Sequence, residues 1–114
     1  MKRERIYIGG PFTADSNEKI MANVCTAIGI ALEIFKKGHI PFIPHLTYWV
    51  EQYAKAHGIH LEYRDWMEWD DAFREICDSM YKIAPSPGTD EEERKTWEEG
   101  KRIYYNLEEI EPTD

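Results

Sequence analysis

Apolar residues along this chain recur at two different periods, and the changes between them mark out the elements. Ile6-Tyr7-Ile8-Gly9-Gly10-Pro11 is a short apolar run that breaks into a glycine turn, the pattern of a strand closing on a tight connection. The polar cluster Asp15-Ser16-Asn17 then offers N-cap side chains. From Glu18 to Lys37 the residues Ile20, Val24, Ala27, Ile28, Ala31, Ile34 and Phe35 fall at helical spacing, and Gly38 stops the helix they predict. His39-Ile40-Pro41-Phe42-Ile43-Pro44 reads as a second short strand with prolines near its ends, delivering His45 to the loop beyond.

The middle of the chain is aromatic and polar. Thr47 to Ala56 and Tyr63 to Ile76 both read as helices, separated by His57-Gly58-Ile59-His60, and the second carries Trp66, Trp69 and Phe73 around Asp70 and Asp71. Asp78 to Ala84 is a third strand, a helix follows from about Thr89 to Glu99, Gly100 ends it, and Arg102-Ile103-Tyr104-Tyr105 is a fourth strand. Glu111-Pro112-Thr113-Asp114 reads as a loose tail. The order β-α-β-α-α-β-α-β predicts an α/β fold: a small doubly wound parallel sheet with right-handed crossovers, in flavodoxin-like order 2-1-3-4.

Length and composition narrow this picture. A chain of 114 residues with 42% hydrophobic content is expected to form one domain with a modest core. A net charge of −8 and a pI near 5.0 exclude broad contact with a nucleic-acid backbone, which needs a basic stripe. Met1 to Arg5 runs into the first strand without a signal-peptide pattern, and no segment is long enough to span a bilayer, so a cytoplasmic protein is expected. Cys25 and Cys77 lie on segments read as helices and match no zinc or redox spacing; both are read as reduced, half-buried packing residues.

In a 2-1-3-4 sheet the loops after strands one and three lie side by side at the carboxyl edge, so Gly9-Gly10-Pro11-Phe12 is expected beside Ser86-Pro87-Gly88-Thr89 in one crevice. Glycines permit close approach of backbone to a ligand, and Ser86 with helix-start amides could hold a phosphate or a sugar hydroxyl. Thr89-x-x-Glu92 has two readings, a capping box or a carboxylate placed for chemistry. Tyr7 either packs in the core or reaches the crevice, as the period-two alternation decides. Asp70, Asp71 and Asp78 are the other acids near strand three, and glycosidic chemistry uses two cooperating carboxyls. His45 leaves strand two toward the same edge, whereas His57 and His60, without a third ligand in register, read as solvent-exposed or capping residues rather than a zinc site. Trp49, Trp66, Trp69 and Trp97 read as core or subunit interface, with base stacking as the alternative.

Taken together, Ile6-Tyr7-Ile8-Gly9-Gly10-Pro11, then Cys77-Asp78, then Ser86-x-Gly88-Thr89-x-x-Glu92 with Gly100 eight residues later, resembles the nucleoside 2-deoxyribosyltransferase superfamily. Within it the chain is similar to a short deoxyribosyltransferase-like branch related to the deoxynucleoside 5′-monophosphate N-hydrolases. The resemblance implies that Glu92 is a nucleophile forming a glycosyl-enzyme intermediate and that Tyr7 orients it. It also implies that Asp70, eight residues before Asp78, contacts or protonates the leaving base, with Asp71 as the substitute if the helix register slips. Gly9, Gly10, Pro11, His45, Ser86, Gly88 and Thr89 are then substrate-binding candidates. Ser86 stands where the transferases carry an Asp and the N-hydrolases a Ser that contacts the 5′-phosphate, which favours hydrolysis of a monophosphate.

The helix dipole is expected to keep Glu92 ionised at neutral pH. No metal or organic cofactor is implied, the expected partner is a small nucleoside or nucleotide, and a homodimer or larger homo-oligomer is expected through the tryptophans of the middle helices. Base exchange by a deoxyribosyltransferase, and a catalytically silent nucleotide-binding or interaction domain on the same fold, are the competing functions. A response-regulator receiver is set aside because Gly9-Gly10-Pro11 stands where its acidic pair belongs, and a dinucleotide-binding unit because no G-x-G-x-x-G follows a strand.

Overall fold

Strand β1 (Arg5–Gly9) is the hub of a four-stranded, all-parallel sheet, in a computed structural model that describes residues 2–113. It is followed by α1 (Asn17–Lys36), β2 (Ile40–Phe42), α2 (Thr47–Ala56), α3 (Tyr63–Arg74), β3 (Ser79–Lys82), α4 (Pro87–Glu98) and β4 (Arg102–Tyr104). Single 3-10 turns occupy Pro44–Leu46 and Leu107–Glu109. The strand order is β2-β1-β3-β4, with Tyr7 opposite Phe42 on one side and opposite Met80 on the other. This is the α/β architecture and the 2-1-3-4 order that the alternation of elements predicts.

Each strand divides its side chains between two layers, because successive residues point to opposite faces. Ile6, Ile8, Tyr81 and Tyr104 pack beneath α1 against Ala27, Ala31 and Ile34, and Ile110 from the C-terminal segment closes that layer. Tyr7 and Met80 face the other way, with Cys77, Phe42 and Ile103, toward the side covered by α3 and α4. Helix α1 begins at Ser16, whose side chain accepts from the Lys19 amide, and the chain leaves it through Gly38 at φ 96°, as the sequence predicts.

Several boundaries differ from the sequence reading, each for a local reason. The second strand is shorter than His39–Pro44: the His39 amide still bonds the end of α1 through the Ile34 carbonyl, and Pro44 opens a 3-10 turn. Helix α4 starts at Pro87 rather than Thr89, because proline is preorganised for the first helical position and Ser86 supplies the cap. Cys77 lies in the turn between α3 and β3 and is buried, while Cys25 on α1 is exposed, so neither matches a half-buried helical residue.

The C-terminal segment is docked rather than loose. Lys37 Nζ donates to the carbonyls of Leu107 (2.7 Å) and Ile110 (2.8 Å), and the Thr113 amide donates to the Lys37 carbonyl (2.7 Å). His39 Nδ1 accepts from the Glu4 amide, which leaves Nε2 to donate to the Glu111 carbonyl at 2.8 Å. With Ile110 only 1% exposed, this segment completes the α1-side core; Met1 and Asp114 lie outside the described residues. Among the described residues no helix is long and apolar enough to cross a membrane.

Candidate active site

Strand order places the site. Between β1 and β3 the connections leave toward opposite faces of the sheet, and the gap they leave at the carboxyl edge is where open α/β folds hold ligands. Gly9 pairs with Lys82 there, and the Ile83 amide donates to the Gly9 carbonyl at 2.8 Å, so the two following loops start side by side. A cavity of about 430 Å³ opens above them, within the range of small-molecule sites.

Glu92 forms its floor, at 6% exposure. Its Oε2 accepts from the Tyr7 hydroxyl at 2.6 Å, a short charge-assisted bond between the first strand and the last helix. Tyr7 therefore resolves its two readings by doing both: its ring packs in the sheet layer, stacked on Phe42, and its hydroxyl reaches the cavity. Burial, then the charges of Glu92 and Asp70, push the Tyr7 phenol well above its ordinary value, so it remains a donor.

The second carboxyl is Asp70. Burial first, then the charges of Glu92 and Asp71, raise it to about 7. Glu92 is also raised to about 7, by burial and by Asp71, against the Tyr7 hydroxyl bond and the charges of Arg74 and Lys95, which favour its ionised form. The helix dipole does not hold Glu92 ionised as the sequence reading expects: α4 starts at Pro87, so Glu92 is its sixth residue, beyond the first turn where that field acts. Two carboxyls near 7 hold about one proton between them at neutral pH. Tyr7 and the two cations favour the anion on Glu92, while burial and the charges of Glu92 and Asp71 favour the protonated form of Asp70.

Side-chain rotation on α3 separates Asp70 from Asp71. Tyr63, Trp66, Met67 and Asp70, at spacings of three and four, form one stripe along the helix, and all four line the cavity. Asp71, one residue on, faces α4 and is held by Arg74 (3.1 Å) and Lys95 (2.7 Å), outside the lining. Asp78 lies at the other end of β3, where its carboxylate accepts from the Arg5 amide at 2.7 Å.

His45 is 3% exposed at the exit of β2, and its ring stacks obliquely beside Phe12. Its Nε2 lies 3.2 Å from the carbonyls of both Gly10 and Pro11, so that nitrogen carries the proton and braces the loop after β1. Burial lowers its pKa and keeps the ring neutral. Two buried side-chain polar atoms lack a partner among the described residues, His45 Nδ1 and Asp70 Oδ1, and both residues belong to this one cavity. Unpaired buried polar atoms are costly, and their concentration at one place marks it as a binding site.

The two loops contribute unequally. Gly10 lines the cavity, and a side chain there would press on Ile83, with a Cβ only 2.9 Å from the Ile83 Cβ. Gly9 faces Met80 and Thr89 instead, and neither it nor Pro11 reaches the lining. Ser86, Gly88 and Thr89 do reach it, but Ser86 spends its hydroxyl on the helix start: Oγ accepts from the Thr89 amide (3.2 Å) and donates to Thr89 Oγ1 (2.7 Å). The cap of α4 is thus Ser86, three residues before the position that the Thr89-x-x-Glu92 box requires, and Glu92 is free of any capping role.

Sequence reasoning missed Thr13, Pro44, Thr47, Tyr63 and Met67, which line the cavity with Phe12 and Trp66. The signal for two of them was present, since Tyr63 and Met67 belong to the same helical stripe as Asp70. Trp49, Trp69 and Trp97 are exposed and outside the lining, as are His57 and His60. Among the described residues no group of His, Cys, Asp and Glu could hold a metal ion. No protein-family model matches the chain, and neither does any curated protein.

Proposed function

We propose that this chain is an N-glycosidase that cleaves the base–sugar bond of a nucleoside or its 5′-monophosphate, with Glu92 as nucleophile. The observation that carries the reading is the buried 2.6 Å bond from Tyr7 to Glu92 beside a second carboxyl raised by burial, Asp70, in an aromatic-lined cavity. The resemblance of the strand-one and Ser86-to-Glu92 segments to the deoxyribosyltransferase superfamily points to the same residues.

The chemistry follows from the two protonation states. Glu92 attacks C1′ of the sugar as the C1′–N bond breaks through an oxocarbenium-like state, and the departing base takes the proton of Asp70. Water then attacks C1′ of the glycosyl ester, giving its proton to Asp70 and releasing Glu92 as a carboxylate. Tyr7 holds Glu92 in line and stabilises its charge. Trp66, Tyr63 and Phe12 offer faces on which a base can stack.

Of the two substrates, the uncharged nucleoside fits the cavity better. No Lys or Arg is among its lining residues, two carboxyls are, and Ser86 is already engaged in capping α4. A phosphate would meet only first-turn amides there. Incubation with a panel of deoxynucleosides, ribonucleosides and their monophosphates tests the reading directly. Free base is expected from the wild-type protein, fastest from a nucleoside, and at least about 10³-fold less from Glu92→Gln. No base from any member, or equal release by the variant, refutes it; binding without turnover favours a silent nucleotide-binding domain, and base exchange without hydrolysis favours a transferase.

A further inference from the structure

Arg74, at the end of α3, does not line the cavity, yet at 2% exposure it is more deeply buried than Glu92. Its guanidinium donates to Asp71 Oδ1 (3.1 Å), to Thr96 Oγ1 (3.2 Å) and, as a two-pronged pair, to both oxygens of Glu99 (3.0 and 2.9 Å). Thr96, itself buried, donates to the Glu92 carbonyl at 2.7 Å. The other oxygen of Asp71 takes Lys95 Nζ at 2.7 Å. Two residues of α3 are therefore fastened to three at the end of α4, and the chain of bonds ends on the backbone of the residue that carries the proposed nucleophile.

This fastening has a geometric effect on the carboxyl pair. Successive residues of a helix are turned by about 100° from one another. With Asp71 pinned against α4, Asp70 is turned into the cavity, and Thr96 ties the same cation to Glu92. An Arg in this position supplies something that apolar packing would not: a buried positive charge that acts on Glu92. The groups that face Glu92 are Tyr7 from β1, Asp70, Asp71, Arg74 and Tyr63 from α3, and Lys95 from its own helix. Lys95 is partly exposed and is engaged by Asp71 and Glu91, whereas Arg74 is enclosed.

We propose that Arg74 is a positioning residue of the site, whose guanidinium, through Asp71 on one side and Thr96 on the other, sets the approach of Asp70 to Glu92 and supplies the buried positive charge that Glu92 faces. The inference rests on the glycosidase reading only for what the two carboxyls do; their spacing and charge environment stand apart from it.

The test uses the full chain with Arg74→Met, Arg74→Lys and Thr96→Val, each checked for native near-ultraviolet circular dichroism. Carboxyl-carbon NMR titration of Asp70 and Glu92 is run alongside the pH profile of base release. In Arg74→Met the Glu92 midpoint moves up by about one pH unit, the effect of losing a near opposite charge. Arg74→Lys keeps the charge and leaves that midpoint in place. Thr96→Val also leaves it in place, and brings the Asp70 and Glu92 titration steps closer together as the spacing relaxes. Both of these variants lose turnover by about five- to tenfold with KM unchanged, the size of one lost hydrogen bond. A folded Arg74→Met protein with the wild-type Glu92 midpoint overturns the proposal, as does a Thr96→Val protein with wild-type turnover and wild-type titration steps. If Arg74→Met does not fold, the Thr96→Val result decides. Absence of base release from the wild type retires the glycosidase reading instead, and the carboxyl titrations then decide Arg74 alone.

Discussion

Tyr7 and Glu92 stand 85 positions apart in the chain and share a buried hydrogen bond of 2.6 Å at the carboxyl edge of the sheet. Everything proposed for the cavity depends on that bond, because it favours the ionised form of Glu92 against burial. Tyr7→Phe keeps the ring in its layer and removes only the hydroxyl. Since that hydroxyl holds Glu92 below the value burial alone would impose, its loss raises the Glu92 pKa further. The wild-type rate of base release is expected to be bell-shaped around pH 7, its acid limb set by Glu92 and its alkaline limb by Asp70. In the variant the acid limb moves to higher pH and the maximum rate falls by about 10- to 100-fold. An unmoved acid limb counts against the assignment.

Asp70 makes a stability prediction independent of activity. Its pKa in the folded protein, about 7, lies above its ordinary carboxylate value near 3.8, and Glu92 is displaced in the same direction. The folded state therefore binds more protons than the unfolded state between about pH 4 and 7, so stability is greatest below that window and falls as pH rises through it. Asp70→Asn removes the penalty at high pH. With a discount for the open side of the cavity, the gain is about 1–2 kcal/mol at pH 8 and near zero at pH 4. Urea unfolding at the two pH values measures it, and an equal gain at both would contradict the buried-charge account. Base release by the same variant should fall sharply, the usual exchange of stability for function.

The docked C-terminal segment predicts a stability cost far from the cavity. Ile110 is packed against the α1-side core with Ile6, Ile8 and Tyr104. Ile110→Ala should lose about 2–4 kcal/mol of unfolding free energy, the cost of a large aliphatic truncation in a core. Turnover at a permissive temperature should be unchanged. A loss under about 0.5 kcal/mol, typical of surface positions, would mean that the segment contributes little.

Association is predicted from what the middle helices leave uncovered. Trp49 and Tyr53 on α2, with Trp69 and Phe73 on α3, are exposed large apolar side chains. A homodimer or larger homo-oligomer through these helices is expected by sedimentation at micromolar concentration, and Trp69→Asp should shift it toward monomer. A wild-type protein that sediments as a monomer at all concentrations disposes of the idea.

The elements were legible in the chain because their signals are local. Ile6-Tyr7-Ile8 before two glycines, a long helical stripe ended by Gly38, and strands alternating with helices are properties of neighbouring residues, and the alternation carries the 2-1-3-4 order with it. Glu92, Tyr7 and Asp70 were reachable by spacing and resemblance. Asp70 and Asp71 are adjacent and alike in the chain; what distinguishes them is the cavity, lined by the stripe of Tyr63, Trp66, Met67 and Asp70, and the pairing of Asp71 with Arg74 and Lys95. The docking of the tail is not visible in the sequence for a related reason: Glu111-Pro112-Thr113 is polar, and its anchors at Lys37 and His39 lie some 70 positions away.

What the amino-acid sequence determined by itself was the succession of strands and helices, the loops that share an edge, and the carboxyl and hydroxyl residues available there. Only the tertiary structure decided which acids line one cavity, that burial raises two of them to about 7, that Ser86 is engaged in capping α4, and that Arg74 reaches the Glu92 backbone through Thr96. The physical reason is range. Periodicity and turn chemistry act within a few residues, whereas desolvation and charge pairing depend on which distant segments the sheet brings within a few ångströms.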